Sequence, residues 1–285
     1  MKNYNGQKFA VIIPSHGRYD RVYTHDTLRK NGYTGDIYIV CDDQDKQLDK
    51  YKEKYGDKVL VFAKADYEGK FDKMDNFKNL KCVVYARNAI YDLEKKVGIK
   101  YISVLDDDYT SLQYRVGKDY QYFAQTMKNA DSVFAAYIEF LETSKIATIC
   151  FAQGGDFIGG SENDSFAVKK IPKRKMMNLY FFDVDKPIEF KGTINEDLTS
   201  SVAEGIVGNI VMTCPLNTIT QKETQSNAGG LTDIYLDFGT YTKSFYSVMY
   251  APSAVKISAM GGSSKRIHHE VNWKFVAPKI IRESV

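Results

Sequence analysis

Short apolar runs alternate with amphipathic stretches through the first 105 residues, and this alternation constrains the fold more than any other feature. Apolar runs at 9–14, 37–41, 59–63 and 101–105 have the length of buried strands, and helical patterns lie between them. Short strands that are separated by helices pair in parallel through β–α–β crossovers. The chain therefore predicts an α/β domain whose central sheet is twisted, mostly parallel and flanked by helices.

The second half of the chain is less regular. A helical pattern covers 129–144, a buried strand covers 146–152, and the runs at 180–184 and 188–190 predict a hairpin. A long polar stretch at 153–178 has the length of a functional loop. No repeat or low-complexity linker divides the 285 residues, so we expect one domain.

Several classes of protein are disfavoured by composition. No apolar run reaches the roughly 18 residues of a membrane helix, and the N-terminal segment lacks a signal-peptide pattern. The four cysteines are widely spaced without a CxxC pair, which indicates buried free thiols in a reducing cytoplasm. A net charge of +3 gives no global argument for binding nucleic acid, so that argument depends on local patches.

Three carboxylates follow the fourth apolar run in the sequence VLDDDY at 104–109. Asp106 and Asp108 stand two residues apart where the strand ends, and ligands bind at that end of parallel strands. Such a pair can approach one hard cation together with the oxygens of a diphosphate. An acidic loop or a helix N-terminus would give the same pattern.

Polar residues also follow the first two predicted strands. In PSHGR (14–18), Arg18 could meet a phosphate or a base edge. In CDDQD (41–45), a carboxylate could hold a ribose hydroxyl or a uracil N–H, or could cap the next helix. Arg87 and Asn88 lie on the helix before VLDDDY, where Arg87 could brace the aspartates or form an exposed ion pair. Neither GxGxxG nor GxxxxGK[ST] is present, which argues against a dinucleotide or P-loop site.

The second half adds three further candidates. In GTINEDLTS (192–200), a carboxylate could deprotonate an acceptor hydroxyl, or the segment could simply begin a helix. His268 and His269 are adjacent, so on a strand they point to opposite faces and only one could bind a given metal. The segment KKIPKRK (169–175) could contact a phosphate backbone or could be a solvated loop. The candidate nucleic-acid contacts are Lys169, Lys170, Lys173, Arg174, Lys175 and Arg266.

Taken in order, these motifs resemble a known group of enzymes. PSHGR, CDD, ARN and LDDD resemble the nucleotide-sugar half of GT-A glycosyltransferases. The later segments resemble the TET/JBP-associated glycosyltransferases, phage and related enzymes thought to add a sugar to 5-hydroxymethylated pyrimidines in DNA. Those segments are RKMMN (174–178), FKGTINEDLTS (190–200), TQSNAGGLTDIY (224–235), GTYTKSFYSVM (239–249) and RIHH (266–269).

This resemblance implies a GT-A-type fold in which residues 1–108 bind the nucleotide sugar and residues 109–285 bind the acceptor. It implies a UDP-sugar donor, Mn²⁺ or Mg²⁺, and DNA that carries a hydroxymethylated pyrimidine. The base would be flipped out of the duplex, and transfer would invert the anomeric centre. The alternative is a GT-A enzyme that acts on a protein, a glycan or another non-DNA acceptor. Localisation would be cytoplasmic, in the host cell if a phage encodes the chain, with no membrane partner.

The motifs and the resemblance together assign the site residues. The donor-binding residues are Pro14, Ser15, His16, Arg18, Asp42, Asp43, Arg87, Asn88, Asp106, Asp107, Gln153, Gly154 and Gly155. The resemblance implies that the metal ligands would be Asp106 and Asp108, completed by His268 or His269. The acceptor base would be Asp197 or the adjacent Glu196. The aromatic residues at 180–182 could stack on an extruded base or pack in the core.

Overall fold

A ten-stranded mixed sheet lies at the centre of the described part of the chain, with helices on its faces. The structure is a computed structural model. It describes residues 2–4, 7–76, 82–115, 124–154, 175–222, 239, 241–260 and 266–276. The strands are β1 (Lys2–Tyr4), β2 (Gln7–Pro14), β3 (Asp36–Asp42), β4 (Val59–Phe62), β5 (Tyr101–Val104), β6 (Tyr109–Arg115), β7 (Ala124–Thr126), β8 (Thr148–Ala152), β9 (Asn178–Asp183), β10 (Val211–Gln221), β11 (Val255–Met260) and β12 (Arg266–Val271). The helices are α1 (Tyr23–Lys30), α2 (Leu48–Tyr55), α3 (Val83–Val97), α4 (Ala130–Ser144), α5 (Glu196–Ile206), α6 (Thr242–Tyr250) and α7 (Trp273–Val276).

The strand order of the sheet is β4-β3-β2-β5-β9-β8-β10-β6-β7, with β1 paired to β2. The first four strands of this order pair in parallel, as the alternation of strands and helices predicts. The second half mixes directions, because β9 runs antiparallel to both β5 and β8 while β8 and β10 are parallel. The predicted α/β class is confirmed. Its parallel block brings the carboxyl ends of β2, β3 and β5 to one edge of the sheet.

Alternate residues of the central strands pack into two apolar layers. Phe9 lies on the face covered by α4, where its ring contacts the rings of Phe134 and Phe181 at centroid distances of 6.1 and 6.4 Å. Ala10 and Ile12 point to the opposite face, which α3 covers. This period of two is the signature of a strand that is buried on both faces. The sheet edge that carries the polar residues therefore rests on a packed core.

The predicted hairpin at 180–184 and 188–190 is wrong. Strand β9 lies inside the sheet and pairs on both sides, with β5 and with β8, so no edge remains for a returning strand. The chain instead leaves the sheet, and Phe190 exchanges two hydrogen bonds with the side chain of Asn88 on α3. The aromatic residues at 180–182 are buried in the core, which excludes stacking on an extruded base.

The cysteine prediction holds within the described residues. Cys41, Cys82 and Cys150 are buried free thiols, and Cys214 is a partly buried one. Among the same residues, the structure contains no helix with the length and apolar character to cross a membrane.

One buried carboxyl group on α3 predicts a pH-dependent stability. Glu94 is fully buried, and neither of its carboxyl oxygens has a hydrogen-bond partner. Burial raises the pKa of Glu94 from 4.5 to about 8. Between these values the folded chain retains a proton that the unfolded chain releases, so stability falls as the pH rises. We expect the chain to lose on the order of 3 kcal/mol between pH 5 and pH 8 from this group.

Replacing Glu94 with Leu should remove most of that pH dependence. Urea unfolding at pH 5 and pH 8 measures it, and Glu53→Gln, at an exposed position on α2, is the matched control. An equal loss of stability in the wild type and in Glu94→Leu would show that Glu94 does not carry the effect.

Candidate active site

The edge of the parallel block is organised around Asp107, which follows β5. Ser15 Oγ donates a hydrogen bond of 2.7 Å to Asp107 Oδ2, and Arg18 Nη1 donates one of 2.9 Å to Asp107 Oδ1. Burial raises the pKa of Asp107, and the charge of Arg18 opposes that shift. Both carboxyl oxygens of Asp107 are therefore engaged by hydrogen bonds within the protein. The neighbouring carboxylates Asp106 and Asp108 are the ones that remain for a ligand.

A second hydrogen-bonded group lies at the end of β3. His16 Nδ1 is 2.6 Å from Asp42 Oδ2, and Lys64 Nζ is 3.2 Å from Asp42 Oδ1. Burial opposes ionisation of Asp42, but the hydrogen bond with His16 and the charge of Lys64 hold its pKa below the usual value. Asp43 is exposed, and its Oδ1 accepts a hydrogen bond from the Lys64 backbone N–H. The structure thus places Asp42 in a buried ion pair and Asp43 at the rim.

Asp106 and Asp108 are held in place through the backbone between β5 and β6. Thr24 Oγ1 donates to the Asp106 carbonyl oxygen and accepts a hydrogen bond of 2.9 Å from the Tyr109 N–H. The Asp106 side chain is 36% exposed. Burial, followed by the charges of Asp106 and Asp107, raises the pKa of Asp108 to about 7. A divalent cation would relieve this repulsion, and carboxylate oxygens are ligands that Mg²⁺ and Mn²⁺ prefer, so Asp106 and Asp108 are the residues that would hold one.

The two histidines lie on a different element, the ribbon formed by β11 and β12. Their ring centroids are 4.0 Å apart, so the expectation that the two rings point to opposite faces is wrong. His269 Nδ1 lies 3.5 Å from Asn195 Nδ2. Burial, together with the positive charges of His268 and nearby lysines, lowers the pKa of His269 to about 3.

The predicted set of two aspartates and a histidine is not assembled in the described part of the structure. Within those residues, no group of three or more His, Cys, Asp or Glu side chains is arranged to hold a metal ion. Mg²⁺ is usually bound by one or two carboxylates together with substrate phosphates and waters. Asp106 and Asp108 therefore remain the predicted protein ligands without a histidine beside them.

Arg87 joins the two acidic parts of the site. Its guanidinium is buried, with Nη2 3.1 Å from Asp106 Oδ1 and Nη1 2.8 Å from Glu196 Oε1. Nη1 also donates a hydrogen bond of 2.6 Å to the Tyr180 hydroxyl. Burial disfavours the charged form, but Tyr180, Glu196 and Asp106 raise the pKa of Arg87 well above its usual value. Arg87 is therefore a fixed positive charge between the end of β5 and the start of α5.

The carboxylates at the start of α5 are the candidates for a general base. Asn195 precedes them with φ of +60°, a left-handed conformation that Asn tolerates, and its Nδ2 donates a hydrogen bond of 2.6 Å to Ser247 Oγ. Burial raises the pKa of Glu196 to about 7, against the charge of Arg87 and with repulsion from Asp197. Burial also raises the pKa of Asp197. A carboxylate with a raised pKa suits proton transfer near neutral pH.

The remaining predicted residues divide into those the structure describes and those it does not. Asn88 Nδ2 donates to the carbonyl oxygens of Val84 and Phe190, so Asn88 holds backbone segments together. Gln153 Oε1 accepts a hydrogen bond of 3.1 Å from Asn178, and Gly154 is exposed directly after it. Lys175 is described, and Arg266 begins β12. Residues outside the described part are Gly155, Lys169, Lys170, Lys173 and Arg174.

Sequence reasoning missed several residues that organise the site. Lys64 follows β4, so the rule that selected residues just beyond the strands could have found it. Tyr51 on α2 receives a hydrogen bond of 2.8 Å from the Arg18 N–H, and Asn178 on β9 links Gln153 to Tyr109. These two lie within elements whose local pattern gives no sign of a polar role.

Comparison with known families identifies the chain as a glycosyltransferase. A family model described as TET-Associated Glycosyltransferase matches residues 9–230, which include both acidic parts of the site. The chain belongs to this family, as its motifs predicted.

Solved structures show a distant similarity to the chain. Glucosyl-3-phosphoglycerate synthase from Mycobacterium tuberculosis, solved with Mg²⁺ and UDP, is 6% identical with a TM-score of 0.47 over 95% of this chain and 92% of that one. TarS 1–349 from S. aureus, solved with UDP-GlcNAc, is 12% identical with a TM-score of 0.40 over 85% of this chain and 67% of that one. A search of curated proteins found no match.

Proposed function

We propose that this glycosyltransferase moves a sugar from a UDP-sugar to the hydroxymethyl group of a 5-hydroxymethylpyrimidine in DNA, with metal dependence and inversion. The observation that carries the proposal is the Arg87 bridge, which holds Asp106 at the end of β5 and Glu196 at the start of α5 around one guanidinium. The proposed reaction uses one acidic group to hold the metal and another to act as the base, and Arg87 lies between the two. Membership of the TET-associated family supports DNA as the acceptor.

The donor half of the proposal rests on Asp106 and Asp108. These two carboxylates would hold Mn²⁺ or Mg²⁺, because the burial and mutual repulsion that raise the pKa of Asp108 favour a bound cation there. When bound, the cation neutralises negative charge on the leaving diphosphate. Arg87 orients Asp106 through its hydrogen bond to Oδ1, and the exposed carboxylate of Asp43 is proposed to contact the uridine.

The acceptor half rests on Asp197. Glu196 is buried and bound to Arg87, whereas Asp197 is partly exposed and uses Oδ1 to accept a hydrogen bond from the Leu198 N–H. Asp197 is therefore the carboxylate that can approach an acceptor. It would take the hydroxymethyl proton as that oxygen bonds to the anomeric carbon, and the bond to UDP would break with its electron pair. Attack opposite the leaving group gives inversion.

An acceptor base that is stacked inside a duplex cannot reach an active-site carboxylate, so the nucleotide would be flipped out at a cost of a few kcal/mol. The test is transfer of a labelled sugar from a pool of UDP-sugars, with Mn²⁺, to a duplex that carries hydroxymethylcytosine or hydroxymethyluracil. The same duplex without the modification is the control. We expect label in the hydroxymethylated duplexes only. Label in neither type of duplex would overturn the DNA acceptor.

Asp106→Asn and Asp108→Asn should each weaken UDP binding in the presence of Mn²⁺ by about tenfold or more, because one of two carboxylates that hold the cation becomes neutral. Isothermal calorimetry with UDP, with and without Mn²⁺, measures the effect. Asp57→Asn, at an exposed position after α2, is the matched control. Equal, metal-dependent affinity in all three variants would contradict the assignment of the metal site.

A further inference from the structure

Two lysines from separate segments flank the first turn of α5, where Asp197 lies. We name these residues the cationic cluster: Lys175 before β9 and Lys243 on α6. The two segments are not close to one another in sequence. The fold brings these side chains together, which indicates that they have a role at the site.

Lys175 is placed by the backbone that follows it. The Met176 N–H donates a hydrogen bond of 2.8 Å to Ser201 Oγ, and Ser201 Oγ donates one of 2.7 Å to the Asp197 carbonyl oxygen. The Lys175 carbonyl oxygen accepts a hydrogen bond from Thr213 Oγ1 on β10. Lys175 is therefore anchored beside Asp197, and it is also the last residue of the basic segment KKIPKRK.

Lys243 is placed by the packing of α6 on α5. It lies one helical turn before Ser247, whose Oγ is 2.6 Å from Asn195 Nδ2 and 3.1 Å from Thr199 Oγ1. Burial raises the pKa of Asp197, and the positive charge of Lys243 acts against that shift. The positive charges of Lys243 and Lys175 also contribute to the lowered pKa of His269. Lys243 is therefore close to both Asp197 and His269, and Lys175 is close to His269.

A concentration of positive charge beside the proposed general base favours an anion at that position. The proposed function assigns the donor diphosphate to Asp106 and Asp108, which lie at the end of β5 and are linked to α5 through Arg87. An extruded nucleotide carries its phosphates with it. When its hydroxymethyl group meets Asp197, a backbone phosphate is held close to the same turn of α5.

We propose that the cationic cluster binds a phosphodiester of the acceptor strand next to the flipped nucleotide. This inference rests on the proposed function and adds a binding site for the DNA backbone. The site contacts phosphate rather than a base edge, so it positions the strand without reading its sequence.

The test uses the full chain with Lys243→Gln and Lys175→Gln, each of which removes one positive charge. We expect each variant to raise the KM for hydroxymethylated DNA by about tenfold. The slope of log binding constant against log salt concentration should fall by about the value of one phosphate contact. The Kd of UDP with Mn²⁺ should stay within about twofold of the wild-type value. Lys243→Arg, which keeps the charge, should recover most of the DNA affinity. Lys52→Gln, at an exposed position on α2, is the control for removal of a lysine charge.

A duplex whose flanking phosphodiesters are replaced one at a time by uncharged methylphosphonates locates the contact. At one position the replacement should weaken the wild type and leave Lys243→Gln without further loss. If both glutamine variants transfer sugar to DNA as well as the wild type does, the phosphodiester site is overturned and the proposed function is not. Weaker UDP binding with an unchanged KM for DNA would assign the cluster to the donor diphosphate instead. No transfer by the wild type would overturn the proposed function, and the phosphodiester site with it.

Discussion

Replacing Asp197 with Asn should reduce sugar transfer to hydroxymethylated DNA by about 10²–10⁴-fold, the range that a general base contributes. The hydroxymethyl oxygen is a poor nucleophile while it keeps its proton, and Asn cannot accept that proton. The substitution preserves the size of the side chain at a partly exposed position. Affinity for UDP with Mn²⁺ should therefore stay close to that of the wild type. Single-turnover transfer and calorimetry measure the two quantities.

Glu196→Gln provides the matched comparison for this result. Glu196 is bound to Arg87, so its substitution should disturb the position of Arg87 and slow transfer less than Asp197→Asn does. A larger loss of transfer in Glu196→Gln than in Asp197→Asn, with both variants folded, would contradict the assignment and make Glu196 the base.

Arg87→Met is expected to have the largest effect on stability of any substitution at the site. The guanidinium is buried, and its removal leaves Glu196 without its ion-pair partner and the Tyr180 hydroxyl without its hydrogen-bond donor. Breaking a buried ion pair in this way costs about 3–5 kcal/mol. Urea unfolding measures the loss. Arg29→Met, at an exposed position on α1, controls for removal of an arginine as such.

The charge of Arg87 also predicts how the pH dependence of sugar transfer changes when the residue is replaced. Burial raises the pKa values of Glu196 and Asp197, and the charge of Arg87 opposes both shifts. The base must be ionised to act, so activity falls as the pH drops below its pKa. Removing the charge raises that pKa further and moves the acid limb of kcat/KM to higher pH. Arg87→Lys keeps a charge and should show a smaller shift. Identical pH profiles of kcat/KM for the wild type, Arg87→Lys and Arg87→Met would contradict this role.

The parallel half of the sheet could be predicted because its information is local. Each strand from β2 to β5 is an apolar run bounded by a helix, and the rule that ligands bind where such strands end selected Asp42, Asp106 and Asp108 without further data. The carboxylates of α5 were found through the sequence NED. These features depend on neighbours in the sequence, which a pattern can describe.

The connections between these features could not be predicted, since they join residues far apart in the chain. Arg87 and Tyr180 are 93 positions apart, and their hydrogen bond depends on how α3 packs over β9. The hairpin prediction failed for a related reason, because local alternation does not reveal that both edges of β9 are occupied. The approach of Lys243 to Asp197 likewise depends on the packing of α6 against α5.

The central claim is that a hydroxymethylated base in DNA receives the sugar, and mass spectrometry of nucleosides tests it most directly. DNA that carries hydroxymethylcytosine or hydroxymethyluracil is incubated with the protein, Mn²⁺ and a pool of UDP-sugars, then digested to nucleosides. We expect a new nucleoside that is heavier than the hydroxymethylated one by a single sugar, and its mass identifies the class of donor. Metal-dependent release of UDP with no new nucleoside from either DNA would contradict the claim.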